Sequence, residues 1–435
     1  MRLPLSRFCL PLAAASLAAG QNQTDYCNST CQSAFEAALA LESASWVSQN
    51  VTLDPFYSLP SNVSGEPGTL LRWQDIPASQ LSSNWTVPGG LSLSRFLYLS
   101  EDVDGSPLPA SAFVLLPYSP VTAADDGNET NTTTPFNTVV FTHGTAGRVR
   151  NCAPSNHRGL YYEWEGPLAL ASAGFAVVAP DYAGLGTEIA QGFMYEAGFA
   201  HAADAALALA AARASAVGPL LSAGWVVAGH SEGGMTAWRV NERLAMADQA
   251  ALRTRAGGAL LGASIAALFP GEIAVEDYLS DLALARLARA DRACLITGDA
   301  LFGGLTRDEL YKDVSWLGHP RVVEWQRRWN GAGGPRALAA PMLVVQGEAD
   351  PLTYAENTEW DFDQTCAAFP DTRATYQSYP GLNHDVSFQA SQPNYVRWIR
   401  ERFEGVEVAR GCVKETVRPV TDKYGTVQIA WSGSA

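Results

Sequence analysis

Trp225-Val226-Val227-Ala228-Gly229-His230-Ser231-Glu232-Gly233-Gly234 is the stretch whose reading decides the fold. A short β-branched run leads into Gly229-x-Ser231-x-Gly233, and a helix-compatible segment, Met235 to Gln249, follows. Strand, sharp turn and helix in that order hold a serine at the tip of a strained turn, the context a nucleophile elbow requires. Residues flanking such a serine must be tiny. Gly229 and Gly233 supply the space, and Gly234 eases packing of the helix on the strand. The turn also aims the backbone N–H of Glu232, at the helix start, toward negative charge developing beside the serine. The five-residue pattern alone is common in a chain with 38 glycines, so the flanks carry the weight. The bland alternative is a glycine-rich βα turn with an incidental serine.

Upstream, the elements alternate. Arg95-Phe96-Leu97-Tyr98-Leu99 and Ala112-Phe113-Val114-Leu115-Leu116 read as a hairpin turning through Asp102 to Ser106. A polar loop, Thr122 to Asn137, precedes the buried strand Thr138 to Phe141, which ends in Thr142-His143-Gly144-Thr145-Ala146-Gly147. This is where the second oxyanion donor of an elbow serine is placed. Gly144 lets the backbone approach closely, and Thr145 N–H or a neighbour is the candidate donor, with the Thr145 hydroxyl as an assistant. A loop with Asn151-Cys152-Ala153-Pro154-Ser155 leads to a helix over Pro167 to Ala173. The strand Phe175 to Pro180 ends in Asp181-Tyr182-Ala183-Gly184-Leu185-Gly186, and a helix over His201 to Val217 precedes the elbow strand. Asp181 and Tyr182 either line the site or fix their loop; the second fate is the commoner. Alternating strands and helices predict a mostly parallel central sheet with helices on both faces.

Downstream, Gly258 to Ile265 reads as another strand. Residues 271–338 break the alternation with helical stretches over Glu276 to Ala290, Arg307 to Leu317 and Val322 to Trp329, ending at the glycine-rich piece from Gly331 to Pro335. This predicts an inserted helical cap, able to open as a lid and to form an apolar channel. Its candidate lining is Tyr278, Leu279, Leu282, Leu284, Leu287, Ile296, Leu301, Phe302, Trp316 and Leu317, although the lobe's own core is the usual fate of such residues. The core resumes with the strand Met342 to Gln346, then Glu348-Ala349-Asp350-Pro351. Thr375 to Tyr379 reads as the last strand, and a helix over Tyr395 to Phe403 closes the domain. The predicted divisions are a leader over 1–20, an N-terminal arm over 21–90, core over 91–270, cap over 271–338, core over 339–411 and a C-terminal tail over 412–435.

An elbow serine needs an imidazole to take its proton and a carboxylate to hold that imidazole. With the order serine, acid, histidine, elimination works. Of the six histidines, His143, His157, His201 and His230 precede Ser231, and His319 falls in the cap. His384 is left as the base. Asp350, at a strand end, is its acid, with Glu348 the alternative. Asp385, adjacent to His384, points away from the imidazole. No metal or organic cofactor is called for.

The N-terminus reads as a signal peptide. Arg2 and Arg7 are basic, Leu10 to Leu17 is apolar and too short to span a bilayer, and cleavage sites end at Ala18 or Gly20. Sequons begin at Asn22, Asn28, Asn50, Asn62, Asn84, Asn128 and Asn131. Cys9 leaves with the leader. Cys27, Cys31, Cys152, Cys294, Cys366 and Cys412 remain, an even number that suits three disulfides in an oxidising compartment. Sequence alone does not choose the pairing; Cys27–Cys31, Cys152–Cys294 and Cys366–Cys412 are preferred. A zinc site at Cys27 and Cys31 is the rival, but no second Cys/His cluster lies nearby. The net charge of −15 argues against nucleic acid and anionic membrane as partners, leaving at most peripheral contact with a lipid interface.

The ordered set of His143-Gly144-Thr145, Asn151 to Ser155, Val177 to Asp181-Tyr182-x-Gly184-Leu185-Gly186, Gly229-His230-Ser231-x-Gly233-Gly234, Gly347-x-x-Asp350 and His384 resembles the fungal secretory lipase family, of the Candida antarctica lipase A type. The match covers roughly residues 90 to 412. The Cys-Ala-Pro-Ser loop with Asp-Tyr-x-Gly-Leu-Gly is its specific part. The resemblance implies an α/β-hydrolase fold with a helical cap and ester hydrolysis by Ser231, Asp350 and His384. It also implies a disulfide from Cys152 to the cap, which fits Cys294. The expectation is therefore a secreted, extracellular serine esterase or lipase acting on a small-molecule or lipid ester. Two rivals stand beside it: an exopeptidase or amidase of the same fold, and a non-catalytic binding protein. Glu232 is a departure, and its side chain has two fates open, binding a cationic group or facing solvent.

Overall fold

The computed structural model describes residues 26–61, 63–102, 104–120, 135–163, 165–246, 269, 271–303, 305–330 and 334–426. The leader, the sequons at Asn22, Asn62, Asn128 and Asn131, and the strand expected over Gly258 to Ile265 lie outside the described residues. Among the described residues no helix is long and apolar enough to cross a membrane.

The hairpin is longer than its apolar runs suggest. β2 (Leu91–Glu101) and β3 (Pro107–Pro117) pair antiparallel from Leu91↔Pro117 to Glu101↔Pro107. β1 (Leu70–Asp75) adds an antiparallel edge to β2. β4 (Phe136–Thr142) runs parallel to both β5 (Ala176–Pro180) and β6 (Leu221–Gly229). β5 pairs antiparallel with β3, so the order is β1-β2-β3-β5-β4-β6. β7 (Met342–Gly347), β8 (Arg373–Tyr379) and β9 (Gly411–Thr416) form a parallel three-stranded sheet.

Alternation along the strands builds two apolar layers. Val114, Val140 and Val178 pack with alanines 202, 205, 208 and 212 of helix Gly198–Arg213 on one face. Phe113, Val139 and Val177 face Leu168 and Leu170 of helix Gly166–Ser172, and Ile399 of helix His384–Phe403, on the other. A mixed sheet covered on both faces is the expected α/β-hydrolase layering.

Several expected elements are corrected. The stretch Glu276 to Ala290 is two helices, Val275–Tyr278 and Asp281–Ala290, because the Ser280 side chain accepts from Ala283 N and caps the second. Arg307 to Leu317 is a short helix, Arg307–Leu310, followed by a 3₁₀ turn, Ser315–Gly318. Val322 to Trp329 is helix Pro320–Trp325 running into a π-turn, Gln326–Asn330. Helices Leu295–Phe302 and Ala355–Ala368 were not foreseen. Thr375 to Tyr379 is not the last strand: β9 follows it, and the last helix begins at His384 rather than Tyr395.

The arm is a brace for the lobe. Phe35 of helix Ser29–Ala44 packs with Ala283, Leu287, Leu301 and Phe302. Buried Glu42 accepts from Cys294 N at 2.6 Å, Ile296 N at 3.0 Å and Thr297 Oγ1 at 2.8 Å, satisfying the start of helix Leu295–Phe302. Disulfides join Cys27 to Cys31, Cys152 to Cys294 and Cys366 to Cys412.

Candidate active site

The elbow is built by close approach. A Cβ on Gly229 would lie 2.2 Å from Gly233 O, and one on Gly233 would lie 1.9 Å from Thr142 O. Only hydrogen fits at either place. At Gly234 the nearest atom would be 3.4 Å away, an ordinary contact, so that glycine is not needed to bring helix and strand together. Ser231 itself sits at φ 58°, ψ −124°, a left-handed conformation costing about 1–3 kcal/mol that the surrounding contacts must hold.

His384 is the first residue of its helix, capped by Asn383, whose side chain accepts from Val386 N at 3.0 Å. Its Nε2 is 2.7 Å from Ser231 Oγ and its Nδ1 is 2.8 Å from Asp350 Oδ2. Asp350 follows β7 and is buried. Its Oδ1 accepts from the N–H groups of Leu352 and Thr353, each at 2.8 Å, and Gln346 Nε2 is 3.3 Å from Oδ2. Burial works against the charge of Asp350. The bonds from His384, Thr353 and Leu352 outweigh it and hold the carboxyl below its ordinary value. Glu348, the alternative acid, is exposed and away from this contact. Ser231, His384 and Asp350 are thus brought together in one hydrogen-bonded line.

The three oxyanion candidates are placed differently. Glu232 opens helix Glu232–Ala245, where a first-turn N–H has no intrahelical acceptor. A Cβ on Gly144 would be 3.1 Å from Ser231 Cβ, so this loop lies against the nucleophile. The Gly144 N–H, however, donates to Tyr162 Oη at 2.6 Å, and the Thr145 hydroxyl donates to Tyr195 Oη at 2.9 Å.

Of the two fates expected for the Glu232 side chain, facing solvent is overturned. It is buried and turned inward, with Oε1 accepting from Glu196 N at 2.8 Å and lying 3.2 Å from His201 Nε2. Asp181 fixes its loop, accepting from Ser111 Oγ, Ser155 N and Ser155 Oγ at 2.6–2.8 Å. Asp385 is not hydrogen-bonded to the imidazole of His384 but stays near it, with its Oδ1 3.7 Å from His230 Nε2 and a carboxylate oxygen within 4.8 Å of a His384 ring nitrogen. The remaining histidines are structural in placement. His157 is buried beside Ser45, His143 lies under the Gly144 loop, and His319 caps helix Pro320–Trp325.

Sequence reasoning missed Tyr162, Tyr195, His201 and Asp204. Only the last two left a signal, an i,i+3 histidine–aspartate pair on one helix face. His230, His384 and Asp385 bring three potential metal-donor atoms within 4.8 Å of one another. Both ring nitrogens of His384 are already engaged by Asp350 and Ser231.

A model of the alpha/beta hydrolase family matches residues 139–396, from β4 through the elbow to the helix that starts at His384. The chain belongs to the alpha/beta hydrolase family. No curated protein sequence matches it. Among solved structures, this alpha/beta hydrolase is similar to lipase A of Candida antarctica in its closed state, at 16% identity and a TM-score of 0.60, with 83% of this chain and 88% of that one covered. It is also similar to the ligand-bound rice cell wall degrading esterase of Xanthomonas oryzae, at 16% identity and a TM-score of 0.56, covering 79% and 100%. At such identities the likeness speaks for a shared fold.

Of the ten cap residues named as channel lining, Tyr278 and Trp316 belong to a core cluster shared with Tyr182, Phe193 and Tyr195, while Leu287, Leu301 and Phe302 pack on the arm. Leu317 packs against the same cluster as Tyr278 and Trp316.

Proposed function

We propose that this alpha/beta hydrolase is a secreted serine carboxylic-ester hydrolase. The observation that carries the reading is the line Ser231 Oγ, His384 Nε2, His384 Nδ1 and Asp350 Oδ2 at 2.7 and 2.8 Å. Ser231 Oγ attacks the ester carbonyl carbon while His384 Nε2 takes the hydroxyl proton. Asp350 holds the imidazole and the charge it acquires. The Glu232 N–H faces the negative oxygen, with the Gly144–Thr145 loop opposite. Collapse of the tetrahedral species expels the alcohol, which receives the proton from His384. Water then attacks the acyl-serine by the same route and releases the acid.

The amidase rival shares this chemistry, but the inward turn of the Glu232 carboxylate keeps that side chain from meeting a substrate amino group. Secretion is supported by three disulfides, by the leader-like N-terminus and by exposed sequon residues Asn28, Asn50 and Asn84. The substrate proposed is a small or lipid ester, with exposed Leu352, two residues from Asp350, offering peripheral contact to a lipid interface.

Turnover of p-nitrophenyl esters tests the chemistry. Ser231→Ala should lower kcat by about 10⁴-fold or more, and Asp350→Asn somewhat less, because the acid only positions the base. Wild-type turnover by Ser231→Ala sinks the assignment. An ester series from acetate to palmitate separates lipase from esterase. Each buried methylene is worth about 0.8 kcal/mol, so kcat/KM should rise about fourfold per carbon until the channel is full. An optimum at two to four carbons would leave an esterase of short acyl groups.

A further inference from the structure

Behind the elbow lies a buried charged line that the ester chemistry does not use. His201, on helix Gly198–Arg213, has Nε2 3.2 Å from Glu232 Oε1 and Nδ1 3.4 Å from Asp204 Oδ2. Asp204 also accepts from the Ser100 hydroxyl at 2.5 Å and from Ala183 N at 3.2 Å. All three side chains are buried to within a few per cent of full enclosure. The His201 ring stacks on Tyr182 at 4.1 Å and 16° and lies nearly parallel to Phe193 at 5.5 Å and 14°. Tyr182 stacks in turn on His143 at 4.1 Å, and its hydroxyl donates to His143 O. One stack therefore reaches under both loops beside Ser231: the Glu232 turn through His201, and the Gly144 loop through His143.

We infer that Asp204, His201 and Glu232 form a second, inward-facing relay whose imidazolium anchors the Glu232 side chain, and with it fixes the Glu232 N–H at the oxyanion position. The inference rests on the serine-hydrolase reading above. The physical reason is the strain at Ser231. A turn held at positive φ relaxes unless its neighbours pin it, and an oxyanion donor displaced by an ångström loses much of its effect. Glu232 is the residue both next to the strained serine and bearing the donor. A buried carboxylate there is tolerable only if paired, and His201 together with Glu196 N supplies the pairing. These are positioning side chains: none touches the reacting atoms.

The charge state supports the geometry. Burial opposes a charged His201, but the bonds to Asp204 and Glu232 outweigh it and raise the imidazole to about 9. The groups facing it are Asp204 on its own helix, Glu232 on the elbow helix, Glu196 before its helix and Tyr182 above the ring. Arg243 and Tyr98 face Asp204. Burial, then the Glu232 charge, pushes Glu196 up to about 8.

The test uses the full-length enzyme with a p-nitrophenyl ester, a trifluoromethyl ketone inhibitor whose hemiketal oxygen sits where the oxyanion does, and fluorophosphonate labelling of Ser231. Glu232→Gln and His201→Gln should each lower kcat about tenfold to a hundredfold and weaken the ketone by the same factor, with KM within about twofold. The double variant should be no worse than the worse single, because both break one line. Wild-type kcat should fall above about pH 9. That limb should disappear in His201→Gln, move to lower pH in Glu232→Gln and stay in Glu196→Gln, which removes the other group titrating in that window. Val240→Ala, a cavity in the elbow helix facing away from the site, matches the stability loss without touching the line.

Equal kcat and ketone affinity in the two relay variants and Val240→Ala would overturn the inference, as would an alkaline limb that survives in His201→Gln. If His201→Gln does not fold, the isosteric Glu232→Gln and the wild-type profile still decide. A wild-type enzyme that fluorophosphonate leaves unlabelled removes the serine-hydrolase reading and this inference with it. Labelled wild type with unimpaired variants removes the inference alone.

Discussion

At the scale of single residues, the elbow separates glycines by what their missing Cβ would meet. Gly229 and Gly233 face backbone and Thr142 at 1.9–2.2 Å, and neither can yield. Alanine at either should abolish turnover and lower Tm by about 5 °C or more, through overpacking of the turn. Gly234 is different. It lies in the first turn of helix Glu232–Ala245 with room for a methyl group. Gly234→Ala should keep activity and stabilise by about 0.5–1 kcal/mol, since glycine in a helix costs roughly that. Thermal melts and ester kinetics on the three variants check this, and a dead Gly234→Ala would show that the turn tolerates less than its contacts indicate. The sequence made all three glycines look alike because composition cannot report distance. It made Ser231, Asp350 and His384 legible because strand ends and chain order restrict the choices. The inward turn of Glu232 was not legible: its partner His201 is 31 residues away and looks like one more position on an alanine-rich helix.

At the scale of elements, what the sequence hid follows a pattern. β1 was missed and is an edge of its sheet, while β9 forms where the tail from Cys412 carries β-like pieces. Edge strands are polar and half exposed; β9 carries Lys414, which pairs with Glu359 and Asp363 on helix Ala355–Ala368. That helix was missed too, since it buries only Phe362 and Thr365 and so shows little periodicity. Strands with unbroken apolar runs announce themselves whatever their place, β6 and β7 included, although each ends its sheet among the described residues. Glu42 and Phe35 bind the N-terminal arm to the lobe, beside Cys152–Cys294 and the Arg148–Asp291 pair at 2.9 Å. Reducing the disulfides should therefore leave the lobe docked. Glu42→Gln should weaken it, because an amide cannot accept all three bonds, at a cost of about 1–3 kcal/mol. Hydrogen exchange over residues 281–302 reads this directly. Faster exchange is expected in Glu42→Gln, with a further increase on reduction. Full opening on reduction of the wild type alone would make the disulfide the sole tether.

At the scale of the molecule, buried histidines should shape stability against pH from both sides. Burial drives His157 and His230 down to about 3, and it lowers His143. These rings fold neutral. Below about pH 6.5 the unfolded chain takes up protons that the folded chain refuses, so their contribution is present above that pH and is lost as pH falls from there toward 3. The slope is at most about 1.4 kcal/mol per pH unit for each ring. His201 acts in the opposite sense. Its folded value of about 9 lies above the unfolded one, so its contribution is complete below about pH 6.5 and fades as pH rises through 9. The two effects leave a dome of stability in the mildly acidic to neutral range, falling on the acid side through rings that must charge and on the alkaline side through one that must discharge. Urea midpoints measured from pH 4 to 10 check the sign of each limb. His157→Gln should flatten the acid limb and leave the alkaline one. His201→Gln should be less stable at pH 6 yet lose nothing further between pH 7 and 10. An alkaline slope unchanged in His201→Gln would mean that the imidazolium between Asp204 and Glu232 is not the group whose proton the folded state holds.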